Sequence, residues 1–328
     1  MMDNMIILNC DNYYINHHNL TNQFYSMMRK GPSERDRNEA IRNAVCAFLY
    51  AKYIDREPRN DTREAACKDP HWAFRYARDV DKKPHKDTRE AACREPEYAW
   101  LYARDVDKKP RYDTRKAACK DPEYAYSYAR DLDRREPRNN TRNAACKDSK
   151  WALQYAEYID EKPRNDTRKA ACKTSEFAYW YAKDVDKKPR NDTRKAVCGD
   201  PHWAFCYALD VDKCPRDNTR NAACGDPESA FKYARKIDKE PKEETRNAIH
   251  FSQNKIIIFQ YAYFIDKKPR DDTRKVLCSD NINYEAIMNY VKYVDRGFHE
   301  ETWAAIKGTE YEIEYNNFLN QTEKEKII

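Results

Sequence analysis

Glycine is nearly missing from this chain, with 5 residues in 328. That scarcity argues against propellers and glycine-rich β-helices and leaves no glycine loop to cradle a phosphate. Long apolar runs are also missing: none approaches the 18 residues of a membrane-spanning helix, so no membrane partner is expected. Nor does one sign of charge dominate. The 62 basic and 56 acidic groups leave a net charge of +6, which excludes a wholesale mimic of nucleic acid and gives only a weak pull on polyanions. Met1–Cys10 carries an Asp and no Lys or Arg, so no secretory signal is expected. Catalytic grammar is lacking too. The seven histidines (17, 18, 71, 85, 202, 250 and 299) are scattered, and there is no His-Glu-x-x-His or nucleophile elbow. Neither enzyme activity nor a cofactor nor a metal is expected.

What is present is a period. Asp61–Cys67 reads D-T-R-E-A-A-C, and its Thr-Arg core returns at Thr88, Thr114, Thr141, Thr167, Thr193, Thr219, Thr245 and Thr273. The steps are 26 residues, except 27 at Thr114–Thr141 and 28 at Thr245–Thr273. Such a period means stacked supersecondary units, each too small to bury a hydrophobic face alone. At 36% charged and a mean hydropathy of −1.13 the composition approaches that of a disordered chain. The regular spacing of Tyr, Ala and Trp rescues it, because each unit brings an apolar stripe to its neighbours.

Within Asp61–Lys86, Asp61 or Thr62 caps a short helix of small residues. Asp69-Pro70 then caps and starts a longer one, predicted to run to about Lys82 and to be closed by Pro84. Ala73, Tyr76, Ala77 and Val80 make its inward stripe. The recurring Tyr-Ala pair fills the space between successive long helices, and each buried Tyr needs a hydroxyl partner, expected in a neighbouring unit. The fold expected is therefore an all-α solenoid of 26-residue helix pairs: residues 1–35 as an N-terminal cap, 36–310 as the array of about nine full and two degenerate units, and 311–328 as a tail.

An Asp closes each long helix (Asp81, Asp107) and an Arg opens the next short one (Arg89, Arg115). The order Asp, connector, Thr-Arg-x-Ala-Ala, Asp-Pro, long helix resembles HEAT-like repeats and, more closely, their short leucine-rich-variant relatives. The resemblance covers roughly residues 36–310 and implies a structural ladder, here Asp81 with Arg89 and their equivalents. It carries no activity. The iron–sulfur cluster of some leucine-rich-variant proteins sits on a separate cysteine cluster that this chain lacks. The phrase at Asp121–Asp131 is similar to tandem repeats in proteins of phages and giant DNA viruses, which implies a viral origin.

Twelve cysteines are present. Eight hold the place five residues after the Thr (Cys67 and its equivalents), where stacked helices set them about 9–10 Å apart, too far for disulfides. Free thiols and a reducing, cytoplasmic setting are the expectation. Cys198, Cys206 and Cys214 are spaced eight apart, which is no zinc signature.

Two surfaces are candidates for binding. The first is a protein-binding face on the long helices, where an aromatic series varies from unit to unit: Phe74, Trp100, Tyr126, Tyr179, Trp180 and Phe205. The second is a row of basic connectors, Lys82, Lys83, Lys108, Lys109, Lys187, Lys188 and Arg190, able to track the phosphates of a nucleic acid. A protein scaffold, as a viral host-interaction or virion component, is the leading expectation and nucleic-acid binding the alternative.

Overall fold

A computed structural model describes residues 31–327, the side chains of 323–327 apart. It is an all-α solenoid of helix pairs repeating about every 26 residues, with no strand among the described residues. Residues 1–30 of the expected N-terminal cap lie outside the described residues. Contacts divide the chain after Ala145 into two units.

One helix pair explains the rest. The short helix Asn60–Ala66 begins two residues earlier than its Asp-Thr suggests, with Arg59 as the N-cap. The corner is as predicted: the Asp69 carboxylate accepts from Trp72 N–H and Pro70 sits at the first helical position. The long helix keeps α geometry only over Pro70–Tyr76. Ala77–Asp81 is a π-helical turn, and Lys82 closes it in the left-handed conformation, φ 53°. The same succession ends at Lys108 in the first unit and at Lys187, Lys213, Lys239 and Lys267 in the second. Glycine would suit these positions, but the chain spends lysine on them.

The π turn has a purpose. In an α-helix, residues five apart point about 140° apart, whereas a π turn closes i to i+5 and aligns them. Tyr76 and Asp81 are five apart and both must reach the start of the short helix. The Tyr76 hydroxyl accepts from Arg59 N–H at 3.1 Å, donates to Arg59 C=O at 3.2 Å and lies 2.8 Å from Thr62 Oγ1. Asp81 takes the Arg63 guanidinium, Nη2 to Oδ1 at 2.7 Å, while that guanidinium lies 5.7 Å from the centre of the Tyr76 ring.

This refines one expectation and corrects another. Tyr76, Tyr102, Tyr128, Tyr181, Tyr207, Tyr233 and Tyr261 bond both to the connector inherited from the preceding unit and to the Thr of their own, whereas Tyr290 reaches only the connector residue Arg270. Each of these Arg residues pairs with the Asp that closes its own pair, eighteen residues after it (20 for Arg246 and 21 for Arg274) and not eight before: Arg37–Asp55, Arg63–Asp81, Arg89–Asp107 and Arg115–Asp133 in the first unit. In the second unit the pairs include Arg168–Asp186, Arg194–Asp212, Arg220–Asp238, Arg246–Asp266 and Arg274–Asp295. The hairpin of the pair returns Asp81 over Arg63, whereas the left-handed Lys82 sends the chain away before Arg89 is reached. Asp81 pairing with Arg89 is therefore overturned, and the staple locks a pair internally.

Pairs stack through small residues. Phe74 and Ala77 of one pair pack on Ala92, Tyr102 and Val106 of the next. Leu153 and Ala156 repeat the arrangement on Ala171, Tyr181 and Val185. A further ladder escaped the sequence reading: Arg94 donates to Cys67 C=O at 3.0 Å and Lys173 to Cys146 C=O at 3.2 Å, satisfying the open end of the preceding short helix.

Both ends extend the pattern beyond its expected bounds. Glu34–Ala40 and Ala44–Tyr50 form a pair with its own Tyr50 and Arg37–Asp55 contacts, so the array begins at Glu34, two residues before its expected start. Residues 312–327 are likewise no loose tail. They form the helix Glu312–Ile327, whose fully buried Tyr315 stacks on Trp303 and accepts from His299 N–H at 3.3 Å, as the repeat tyrosines do.

Candidate binding surfaces

The aromatic series divides by burial. Phe74, Tyr126, Tyr179 and Phe205 are 4–6% exposed. Phe74 packs on Ala92 and Tyr102, Tyr179 on Val197 and Tyr207, and Phe205 on Ala223 and Tyr233. The surface of Phe74, Tyr179 and Phe205 is spent on the next pair, which leaves little for a partner. The reason is their place on the long helix, one turn before the Ala that touches the following short helix. Trp100 and Trp180 are half-buried. Trp100 donates its indole N–H to Asp131 at 3.2 Å and lies under Arg104 at 4.4 Å, and Trp180 meets Tyr179 and Trp203 edge-on. The structure thus brings Tyr179 and Trp180 together and keeps Trp100 in a separate cluster with Tyr124.

Around Tyr179 the chemistry is polar as well. Its hydroxyl donates to Asp210 at 2.5 Å, and Lys183 donates to the Tyr179 oxygen and to Asp210 at 2.8 Å each. Burial, and then the bond to the Asp210 carboxylate, push the phenol up to about 12. The phenol stays protonated at any physiological pH, so this is a staple and not an acid–base group.

The connectors behave differently. Lys82, Lys83, Lys108, Lys109, Lys187 and Lys188 are all exposed, and none makes an ion pair or side-chain hydrogen bond among the described residues. Several carboxylates flanking these loops are occupied: Asp81, Asp107 and Asp186 are buried against Arg63, Arg89 and Arg168, and Asp79 is held by Arg78 and Lys52, while Asp184 is exposed. Asp87 remains exposed beside the first of these loops. Arg190 departs from the group, since its Nε lies 3.2 Å from Asp186. Successive π turns touch within each unit, so the connectors that follow them lie side by side.

The eleven described cysteines are free thiols. Burial pushes Cys67, Cys93 and Cys172 up to about 12, which leaves them protonated and inert near neutral pH. Cys198, Cys206 and Cys214 do not converge. Cys206 lies 3.6 Å from His202 and Cys198 donates to Asn218 C=O. No group of three or more metal-binding side chains exists among the described residues, and no helix there is long and apolar enough to cross a membrane.

Fold and surface together define the class: an α-solenoid whose charged and aromatic surfaces repeat with the helix pairs. Comparison of the chain with family models, with curated proteins and with solved structures found no match.

Proposed function

We propose that this chain is a binding scaffold without chemistry of its own, and that its connector edges bind a polyanion, nucleic acid, through lysine contacts to phosphates. The observation that carries the reading is the freedom of six connector lysines beside carboxylates that arginines already hold. Lysines without internal partners are available to release counterions on binding. The buried arginines and aromatics of the repeat serve the fold, so the connectors are the recurring chemistry left over.

A protein partner is the second reading, favoured by the half-exposed Trp100 and Trp180, since tryptophan is a frequent interface anchor. The phrase at Asp121–Asp131 supports placing either activity in a viral setting.

Salt titration separates the two. Replacing Lys108, Lys109, Lys187 and Lys188 by Gln lowers affinity for a nucleic-acid duplex and flattens the log–log salt dependence by about 0.7–0.9 per lost contact. Truncating Trp100 and Trp180 to Ala leaves that slope unchanged. A slope untouched by the four lysine changes sinks the phosphate reading.

A further inference from the structure

A second surface forms where one ladder of the repeat breaks down. In five of the ten turns that close a long helix, the third residue is a carboxylate; Tyr53 and Tyr158 hold that place in two others. Asp79 is held by Arg78 at 2.7 Å and by Lys52 of the preceding pair at 2.9 Å. In the second unit, Asp210 is held by Lys183 at 2.8 Å. In the last three π turns, Ala234–Asp238, Ala262–Asp266 and Val291–Asp295, that carboxylate is gone. Lys236, Phe264 and Tyr293 stand in its place, with Arg235, Tyr263 and Lys292 before them.

The replacements are exposed and touch one another. Tyr263, Phe264 and Tyr293 are 42%, 38% and 52% exposed. Tyr263 meets Phe264 at 4.9 Å and Tyr293 at 5.9 Å between ring centres, both edge-on, and Phe259 supports Tyr263 from below. Arg235 lies 4.1 Å from the centre of the Phe264 ring. Soluble proteins seldom leave such a contiguous aromatic patch open without a use for it.

The unpaired charge around the patch is positive. Arg235, Lys236, Lys267 and Lys268 are exposed and make no ion pair among the described residues. The carboxylates next in sequence are occupied, Asp238 by Arg220, Asp266 by Arg246 and Asp295 by Arg274. Only Lys292 is taken, by Glu314 at 2.5 Å.

We infer that this patch binds single-stranded nucleic acid, with bases stacked on Tyr263 and Tyr293 and phosphates on Arg235, Lys236, Lys267 and Lys268. Open rings accept any base by stacking, and flanking cations track the backbone. A duplex hides the faces of its bases and offers the patch only phosphates. An apolar protein segment would cover the rings and leave four cations facing it unanswered. The inference shares its ligand class with the connector edges and takes in one connector, Lys267 and Lys268, but it rests on the exposed rings of Tyr263, Phe264 and Tyr293.

Fluorescence anisotropy with a labelled oligothymidylate of about 12 nucleotides, alone and annealed to its complement, tests it. The whole chain is compared with Tyr263→Ser/Phe264→Ser/Tyr293→Ser and with the four connector Lys→Gln changes. The single strand binds at least tenfold tighter than the duplex, and the aromatic variant loses that preference, the stacking of one or two bases being worth about this much. Tyr293→Phe, which keeps the ring, retains it. The connector variant weakens both probes alike and keeps the preference. Equal binding of strand and duplex, unchanged in the aromatic variant, overturns the patch and leaves the connector reading standing. A preference lost only with the aromatics, beside an inert connector variant, does the reverse. No binding of either probe at low salt overturns both, and a protein ligand that depends on Tyr263 and Tyr293 where neither probe does overturns the patch.

Discussion

Tyr128 shows how much one residue of the repeat carries. Fully buried, it fills the gap between pairs through Ala103, Ala118 and Leu132. Its hydroxyl accepts from Arg111 N–H at 2.8 Å, donates to Arg111 C=O at 3.1 Å and lies 2.9 Å from Thr114 Oγ1. Packing and hydrogen bonding can be separated by two substitutions. Tyr128→Phe keeps the ring and orphans Arg111 N–H, while Thr114 Oγ1 keeps its bond to Arg111 C=O at 3.4 Å, costing about 1–3 kcal/mol. Tyr128→Ala adds a cavity and costs about 3–5 kcal/mol. Denaturant titration of both variants checks this: an unchanged midpoint in Tyr128→Phe would mean that the hydroxyl contributes nothing, and equal losses would mean that the ring contributes nothing beyond it. The need for a Tyr partner is legible in the sequence. The identity of that partner is not, because it depends on the hairpin returning Tyr128 over its own Thr114.

At the scale of the element, the long helix is an α segment, a π turn and a left-handed stop, and each part is testable. The π turn lets Tyr and Asp, five residues apart, face the same short helix. Asp186 is the ionic end of that arrangement, its side chain fully buried against an Arg168 that is itself 5% exposed. Asp186→Ala leaves the guanidinium buried without its carboxylate and should cost about 3–5 kcal/mol, read from the shift in denaturation midpoint. Arg168→Ala should lose a similar amount. If either change proved neutral, the pair would not hold the hairpin. The stop works in the opposite direction. Lys187 has φ 52°, where a side chain with a Cβ costs about 1 kcal/mol relative to glycine. Lys187→Gly should therefore raise stability by about 0.5–1 kcal/mol, a rare case in which glycine strengthens a helix end. A fall in melting temperature would place the strain elsewhere. Where the connector gains a residue, Arg134 and Arg135 both turn left-handed, φ 54° and 61°, so the 27-residue step is absorbed without disturbing the Arg115–Asp133 staple.

For the molecule as a whole, repetition turns local burial into a pH limit. Burial raises Cys67, Cys93 and Cys172 to about 12, and it also raises Tyr76, Tyr102, Tyr128, Tyr181, Tyr207 and Tyr233 above their ordinary value. Such groups stay neutral in the fold after their unfolded counterparts ionise, at about 8.5 for Cys and about 10 for Tyr. The stability tied to them is fully present below about pH 8.5 and drains away as pH climbs toward 12. Circular dichroism melts should be flat from pH 6.5 to about 8.5 and fall progressively above it. A plateau extending past pH 11 would mean that these side chains are open to water.

The sequence by itself determined the period, the all-α class, the Asp-Pro corner and the inward stripe of Ala73, Tyr76, Ala77 and Val80, since these depend on local spacing and capping. It also carried a sign of the π turn, a Tyr and an Asp kept five apart in every pair, which reads as ordinary α-helix until both are required at one place. Tertiary structure decided the rest. It set which Asp each Arg meets, because that depends on where the left-handed residue sends the chain. It decided that Phe74, Tyr179 and Phe205 face the next pair, because exposure is a property of stacking and not of residue type. It left open the aromatic and basic patch from Arg235 to Tyr293, which in sequence is scattered over 59 residues and becomes one surface only when three π turns lie side by side.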